Sequence, residues 1–168
     1  MVSSLYDPHT GLTNADLFND RLVHALERTK RDDRILGLVL IELDDFAPET
    51  DDEHDKVLRA VAQRIRSCTR KVDTAGRIDE VRFGVIVEGA TTRDHVTEIA
   101  NKVVHQMEQP FVFEGVRAEV SASIGVSLFP LDAQDADRMI WNAETALLKA
   151  RNAGGNLYRL FDEDHLSE

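Results

Sequence analysis

Apolar residues recur along this chain at two spacings, one helical and one alternating. Four stretches follow the helical spacing. They are Leu17, Phe18, Leu22, Val23 and Leu26; Val57, Leu58, Val61, Ala62 and Ile65; Val96, Ile99, Ala100, Val103, Val104 and Met107; and Ala136, Met139, Ile140, Ala143, Ala146, Leu147 and Ala150. Asn14 or Thr13 is placed to cap the first. Gln109-Pro110 stops the third, and Gly154-Gly155 ends the fourth. Between them lie strand-like segments. Residues 35–41 are apolar throughout apart from Gly37, which predicts a central strand covered on both faces. Residues 74–78 and 82–87 predict the arms of a hairpin. Residues 111–113 and 118–128 predict two strands around a turn at Glu114-Gly115. The second alternates, with Val120, Ala122, Ile124, Val126 and Leu128 on one side and Ser121, Ser123, Gly125 and Ser127 on the other. A short strand is expected at 157–160. The pattern predicts an α/β (α+β) fold: a mixed, mainly antiparallel sheet of about five strands flanked by helices, plus a C-terminal hairpin or short strand.

Composition narrows what such a fold can do. The chain has 168 residues, 42% hydrophobic and 30% charged, which fits one domain over residues 1–161. Residues 162–168 are expected as a tail or the start of a linker. Thirty-one acids against 20 Lys+Arg give a net charge of -11, which repels a polynucleotide backbone. A single nucleotide in a local basic pocket stays compatible with that charge. Cys68 stands alone and cannot form an internal disulfide. No apolar run approaches the ~20 residues of a membrane helix, and no signal peptide is visible, so a cytoplasmic location is expected.

The acidic run Glu42-Leu43-Asp44-Asp45 ends the first strand, with Glu42 and Asp44 on one face and Asp45 on the other. Carboxylates at that place can hold Mg²⁺ against a nucleotide phosphate, and equally can be solvated strand-end acids. The hairpin turn, Arg77-Ile78-Asp79-Glu80-Val81-Arg82-Phe83, has no glycine at its tip, so its backbone is not free to approach a triphosphate closely. The six histidines have no metal-ligand spacing. Ser121, Ser123 and Ser127 read as a small-residue packing face, Trp141 as a core or half-buried anchor, and Gly154-Gly155 as a helix C-cap.

Taken in order, several segments resemble the GGDEF domain of the diguanylate cyclase family over nearly the whole chain. Asp7-Pro8-His9-Thr10-Gly11-Leu12-Thr13-Asn14 resembles D-x-L-T-G-L-x-N, and Glu42-Leu43-Asp44-Asp45-Phe46 resembles D-x-D-x-F. Ser123-Ile124-Gly125-Val126 resembles the S-I-G strand. Ala143, Ala146, Ala150, Gly154 and Asn156 match the family's ending. The resemblance implies a βααββαβ-type core related to the palm of polymerases and nucleotide cyclases. In that family two GTP molecules condense to cyclic di-GMP when two domains meet, with Mg²⁺ held by the first-strand Asp and the signature acid.

The signature R-x-G-G-[DE]-E-F is altered here. Setting Arg77 and Phe83 in register puts Asp79 and Glu80 at the glycines, Val81 at the metal acid and Arg82 at the following glutamate. Glu42 stands at the first-strand Asp. The guanine-reading Asn falls near Thr50 in a shortened loop of which only His54 and Asp55 resemble the end. Arg151 takes the place of a phosphate-contacting Lys, and Gly155 that of the neighbouring Arg. The expectation is a degenerate, catalytically inactive domain that regulates cyclic di-GMP signalling within a larger protein, with no catalytic residues. No cofactor is expected, and Mg²⁺ at Glu42 only with residual nucleotide binding. Arg70-Lys71-Val72-Asp73 fits the family's inhibitory R-x-x-D site, whose Arg and Asp would read a guanine edge of cyclic di-GMP. Chance alone predicts about 1.6 such tetrads in a chain of this composition, so only its register with the signature lends it weight. The expected partners are cyclic di-GMP or GTP, a neighbouring sensor or EAL domain, and a second copy. Residues 160–165 resemble the stretch that leads into a phosphodiesterase EAL domain. Two alternatives stay open: a residual cyclase with metal ligands Glu42, Asp44 and Glu80, and a GTP-binding allosteric domain for an adjacent EAL phosphodiesterase.

Overall fold

The computed structural model describes residues 5–113 and 115–161. The elements run α1 (Ala15–Thr29), β1 (Ile35–Asp44), α2 (Asp51–Ser67), β2 (Thr74–Arg77), β3 (Arg82–Ala90), α3 (Arg93–Glu108), β4 (Phe111–Phe113), β5 (Val116–Ala118), β6 (Ser121–Phe129), α4 (Ala136–Asn152) and β7 (Tyr158–Leu160). Five strands form one sheet in the order β2-β3-β1-β6-β7. All its pairings are antiparallel except β6 with β7. A single helix, α2, joins β1 to β2, where the family resemblance implied two in succession.

Period two along β1 builds both layers of core. Val39, Ile41 and Leu43 join Val57, Leu58 and Val61 of α2 and Val96, Ala100 and Val103 of α3. Leu36, Leu38 and Leu40 face Phe18, Leu22 and Leu26 of α1 and Met139, Ala143 and Leu147 of α4. Helices therefore cover both faces of β1, as its unbroken apolar run requires. The ring of Phe18 lies over the paired Gly76 and Gly84 of the hairpin, where a Cβ would sit 2.5 Å and 2.7 Å from it. Asn14 caps α1 by accepting from the Leu17 amide at 2.9 Å.

Three details differ from the sequence reading. Val23 is exposed, and Ala25 takes its place on the buried stripe of α1. Residues 118–128 are not one strand: β5 ends at Ala118 and pairs only with β4, and the chain enters the main sheet at Ser121. Val120 is buried in the gap, so the alternation runs through the break without marking it. The C-terminal strand is not part of a hairpin but lies parallel to β6, after Gly154, Gly155 and Asn156 reverse the chain in left-handed conformations. The serine face of β6 does pack under α4. Ser127 donates to the Met139 carbonyl at 2.7 Å, and Gly125 lies against the α4 backbone. Trp141 is half-exposed, with Phe161 edge-on at 6.4 Å. Residues 162–168, and most of the stretch resembling an EAL linker, lie outside the described residues.

Candidate functional site

The alternation that buries Leu36, Leu38 and Leu40 under α1 and α4 continues to Glu42 and Asp44, so both acids emerge on the α4 side of the sheet. Glu42 lies directly opposite Arg82 of β3. Arg82 Nη2 donates to Glu42 Oε1 at 3.0 Å, and Arg151 Nη1, from the last turn of α4, stands 2.8 Å from Oε2. Both carboxylate oxygens thus face a guanidinium, and the Glu42 side chain is only 12% exposed. Arg82 also donates through Nη1 to Glu144 of α4 at 3.3 Å. Two acids and two guanidiniums balance to zero.

Arg77 pairs with Phe83, whose ring is fully buried. The Ile78 and Asp79 amides donate to the Arg82 carbonyl at 2.8 and 3.2 Å, and the Val81 amide donates to Asp79 Oδ1 at 3.1 Å. The Val81 carbonyl accepts from the Leu43 amide at 3.0 Å, so the tip is fixed to the end of β1, and the Val81 side chain packs against the core. Arg77 donates to the Asp79 and Glu80 carbonyls and to the Asp7 carboxylate, tying the tip to the N-terminal turn. Asp79 and Glu80 themselves are exposed.

Asp44 is engaged elsewhere. It accepts from Ser121 Oγ at 2.9 Å, Ser123 Oγ at 2.7 Å and the Asn156 amide at 3.1 Å. Gly155, at φ +74°, suits glycine, and a Cβ there would stand 2.9 Å from the Asp44 Oδ2 and press on it. Glu42, Asp44 and Glu80 are therefore not brought together, and among the described residues no three His, Cys, Asp or Glu converge as metal ligands. The residues do not fit Mg²⁺, which needs several oxygen donors in octahedral array. One carboxylate lies between two cations, and the neighbouring position is an aliphatic side chain.

The structure does bring Arg70 and Asp73 together, but onto each other. Arg70 donates through Nε and Nη2 to the two Asp73 oxygens at 3.2 and 3.0 Å, and from Nη2 to the Glu88 carbonyl at 2.7 Å. The Asp73 side chain is 0% exposed, while that of Arg70 is 48% exposed. The pair borders a cleft of about 330 Å³ lined also by Tyr6, Arg21, Arg66 and Lys71. Asp55 faces His9 at 3.5 Å and His54 at 3.7 Å, and His54 stacks on Phe46. Thr50 is spent as the N-cap of α2, accepting from the Glu53 amide.

Sequence reasoning named Glu42, Arg82 and Arg151 but missed Glu144, and it missed Arg21 and Arg66 beside Arg70. Complementary charge was the available signal for Glu144: an arginine at a partly buried strand position needs an acid near it. Two groups off the site are shifted by burial, which raises the Cys68 thiol and lowers the Arg64 guanidinium from their ordinary values. Arg64 lies 3.6 Å above the Phe111 ring and donates to the Gln106, Gln109 and Pro110 carbonyls.

Comparison with known proteins places this geometry. The family model described as diguanylate cyclase, GGDEF domain, matches residues 4–157. The bifunctional diguanylate cyclase/cyclic di-GMP phosphodiesterase MucR of Pseudomonas aeruginosa is 34% identical over 95% of this chain and 24% of its own length. The cyclic di-GMP phosphodiesterase NbdA of the same organism is 31% identical over 96% of this chain and 21% of its own length. The chain thus spans less than a quarter of either relative. The solved GGDEF domain of TpbB from Pseudomonas aeruginosa superposes with a TM-score of 0.88 at 26% identity, covering 97% of this chain and 99% of that one. Over residues 4–157, from the N-terminal turn through the hairpin to the ending at Asn156, the chain belongs to the GGDEF family.

Proposed function

We propose that this chain is a catalytically inactive GGDEF domain that regulates cyclic di-GMP signalling through contacts with other domains of a longer protein. The observation that carries this reading is the Glu42 carboxylate, whose two oxygens are held by Arg82 and Arg151. A Mg²⁺ placed on Glu42 would meet both guanidiniums at roughly 5 Å, a repulsion of about 6–7 kcal/mol from each at an effective dielectric of about 20. The attraction of Glu42 and Glu144 is already spent on the two guanidiniums, so the cluster keeps no net negative charge to draw in a cation. The hairpin backbone is equally unsuited to a triphosphate, since the side chains at its tip are anionic. The domain's output is then a biased conformation of its neighbours rather than a product. The test is incubation of the purified chain with GTP and Mg²⁺ or Mn²⁺, followed by chromatography of the nucleotides. No cyclic di-GMP is expected; product that disappears in Glu42→Ala overturns the reading.

A second reading rests on a separate observation. The cleft beside Arg70 gathers Arg21, Arg66 and Lys71, none of which pairs with a carboxylate among the described residues, in a chain of net charge -11. A local cationic patch of this kind suits the phosphates of cyclic di-GMP. Asp73 stays on Arg70, so the exposed side of the Arg70 guanidinium and the neighbouring cations would carry recognition. Calorimetric titration with cyclic di-GMP should show binding that Arg70→Ala removes. Absence of heat at high micromolar ligand excludes it.

A further inference from the structure

Arg82 and Arg151 do more at Glu42 than exclude a cation. The contacts form a row, Arg151–Glu42–Arg82–Glu144, in which the charge alternates at every step over 2.8, 3.0 and 3.3 Å. Its members come from β1, β3 and α4, which no turn connects at this point. A divalent cation shared between carboxylates joins separate elements in the same manner, and the Arg82 guanidinium lies between Glu42 and Glu144 with that same polarity. Arg82 sits in the middle, opposite Glu42 in the β1–β3 ladder. That pairing delivers its guanidinium to the carboxylate without a long side-chain search. Its side chain is 25% exposed, so the pair is only partly screened by solvent.

We infer that this row is a structural substitute for a bound metal: Arg82 is a positioning residue that pins β1, β3 and α4, and its positive charge, added to that of Arg151, keeps a divalent cation off Glu42. The inference rests on the reading of Glu42 given above and deepens it. The charge at position 82 decides whether the end of the sheet is held by an internal guanidinium or by a metal ion. Reversing that charge leaves Glu42, Glu144 and the introduced carboxylate together, a set of hard oxygen donors around one point. Arg151 then remains as the counter-charge.

Thermal unfolding with and without millimolar Mn²⁺ tests this on the wild-type chain, Arg82→Glu, and Arg82→Glu combined with Glu42→Gln. The wild-type midpoint is expected to be the same with and without Mn²⁺. Arg82→Glu should melt about 4–8 °C lower without metal. Mn²⁺ should restore most of that loss in a saturable manner, and Glu42→Gln should remove the restoration. A merely space-filling arginine would give a variant indifferent to the ion. The inference is overturned if Arg82→Glu does not respond to Mn²⁺, or if the wild-type chain is stabilised by Mn²⁺ through Glu42. Should Arg82→Glu not fold, Arg82→Gln decides, since it removes the charge and keeps a donor. A Mn²⁺-dependent rise abolished by Glu42→Gln supports the inference, and no rise overturns it. An inactive chain whose variants ignore Mn²⁺ defeats this inference and leaves the inactive reading standing. A wild-type chain that makes cyclic di-GMP defeats that reading whatever the variants do.

Discussion

Adding one methyl group at Gly125 should unseat α4. Gly125 sits in the middle of β6, on the face covered by α4. A Cβ there would lie 2.1 Å from the Ala143 carbonyl oxygen, 2.3 Å from the Leu147 nitrogen and 2.8 Å from the Leu147 Cα. These are backbone atoms and cannot rotate aside. Ordinary contact requires the helix to retreat by somewhat more than about 1 Å, and a gap of 0.5–1 Å forfeits roughly a quarter to a half of each dispersion contact. The fully buried Met139, Ala143 and Ala150, with Ala146 and Leu147, would all loosen. Overpacking of about 1–3 kcal/mol and the lost contacts together come to about 3–5 kcal/mol. In a domain of this size that lowers the melting midpoint by roughly 6–20 °C. Urea unfolding of Gly125→Ala, followed by circular dichroism and by the fluorescence of Trp141, measures it. Trp141 is the chain's only tryptophan and lies on the helix concerned. Because Glu144 and Arg151 travel with α4, the ties to Arg82 and Glu42 should weaken in the same variant. A loss within about 0.5 kcal/mol of zero, the range of ordinary surface changes, would refute the reasoning.

Other consequences follow from single contacts. Arg64→Ala should cost about 2–3 kcal/mol, because three carbonyls at the end of α3 and the start of β4 lose one donor and Phe111 loses its guanidinium cover; a denaturant midpoint unchanged from wild type would count against it. Phe18→Ala should cost about 3–5 kcal/mol, since no side chain on Gly76 or Gly84 can fill the space, and equilibrium unfolding reads the difference. Burial raises the Cys68 thiol above its ordinary value, so the unfolded chain loses that proton first. Stability assigned to Cys68, read as the difference from Cys68→Ala, should therefore fall as pH rises past the ordinary thiol pKa of about 8.5. A difference that is flat or rising across that range would contradict the burial argument.

Much of the fold was legible because its signals are local. The stripes Val57–Leu58–Val61–Ala62–Ile65 and Val96–Ile99–Ala100–Val103 each bury as their spacing requires. The apolar run of β1 announced cover on both faces. What local pattern could not show was pairing across the sequence. The break between β5 and β6 is hidden because Val120 is buried and keeps the alternation intact. The parallel seat of β7 depends on the reversal through Gly154, Gly155 and Asn156. At the site, Glu42, Arg82 and Arg151 could be picked out along the chain, but not how they meet. That Arg82 would reach Glu42, and Arg151 close on the same carboxylate, depends on strand register and on where α4 ends. Asp44 could be counted as a metal acid until Ser121, Ser123 and Asn156 were found on it.

What occupies the neighbourhood of Glu42 decides whether this domain can hold a metal-bound nucleotide. Crystals of this chain soaked with Mn²⁺ and a non-hydrolysable GTP analogue, with data collected at the manganese edge, address it directly. The expected map shows no anomalous peak within coordination distance of Glu42, with Arg82 and Arg151 both on its carboxylate. An ion bound to Glu42, with either guanidinium swung away, would contradict it.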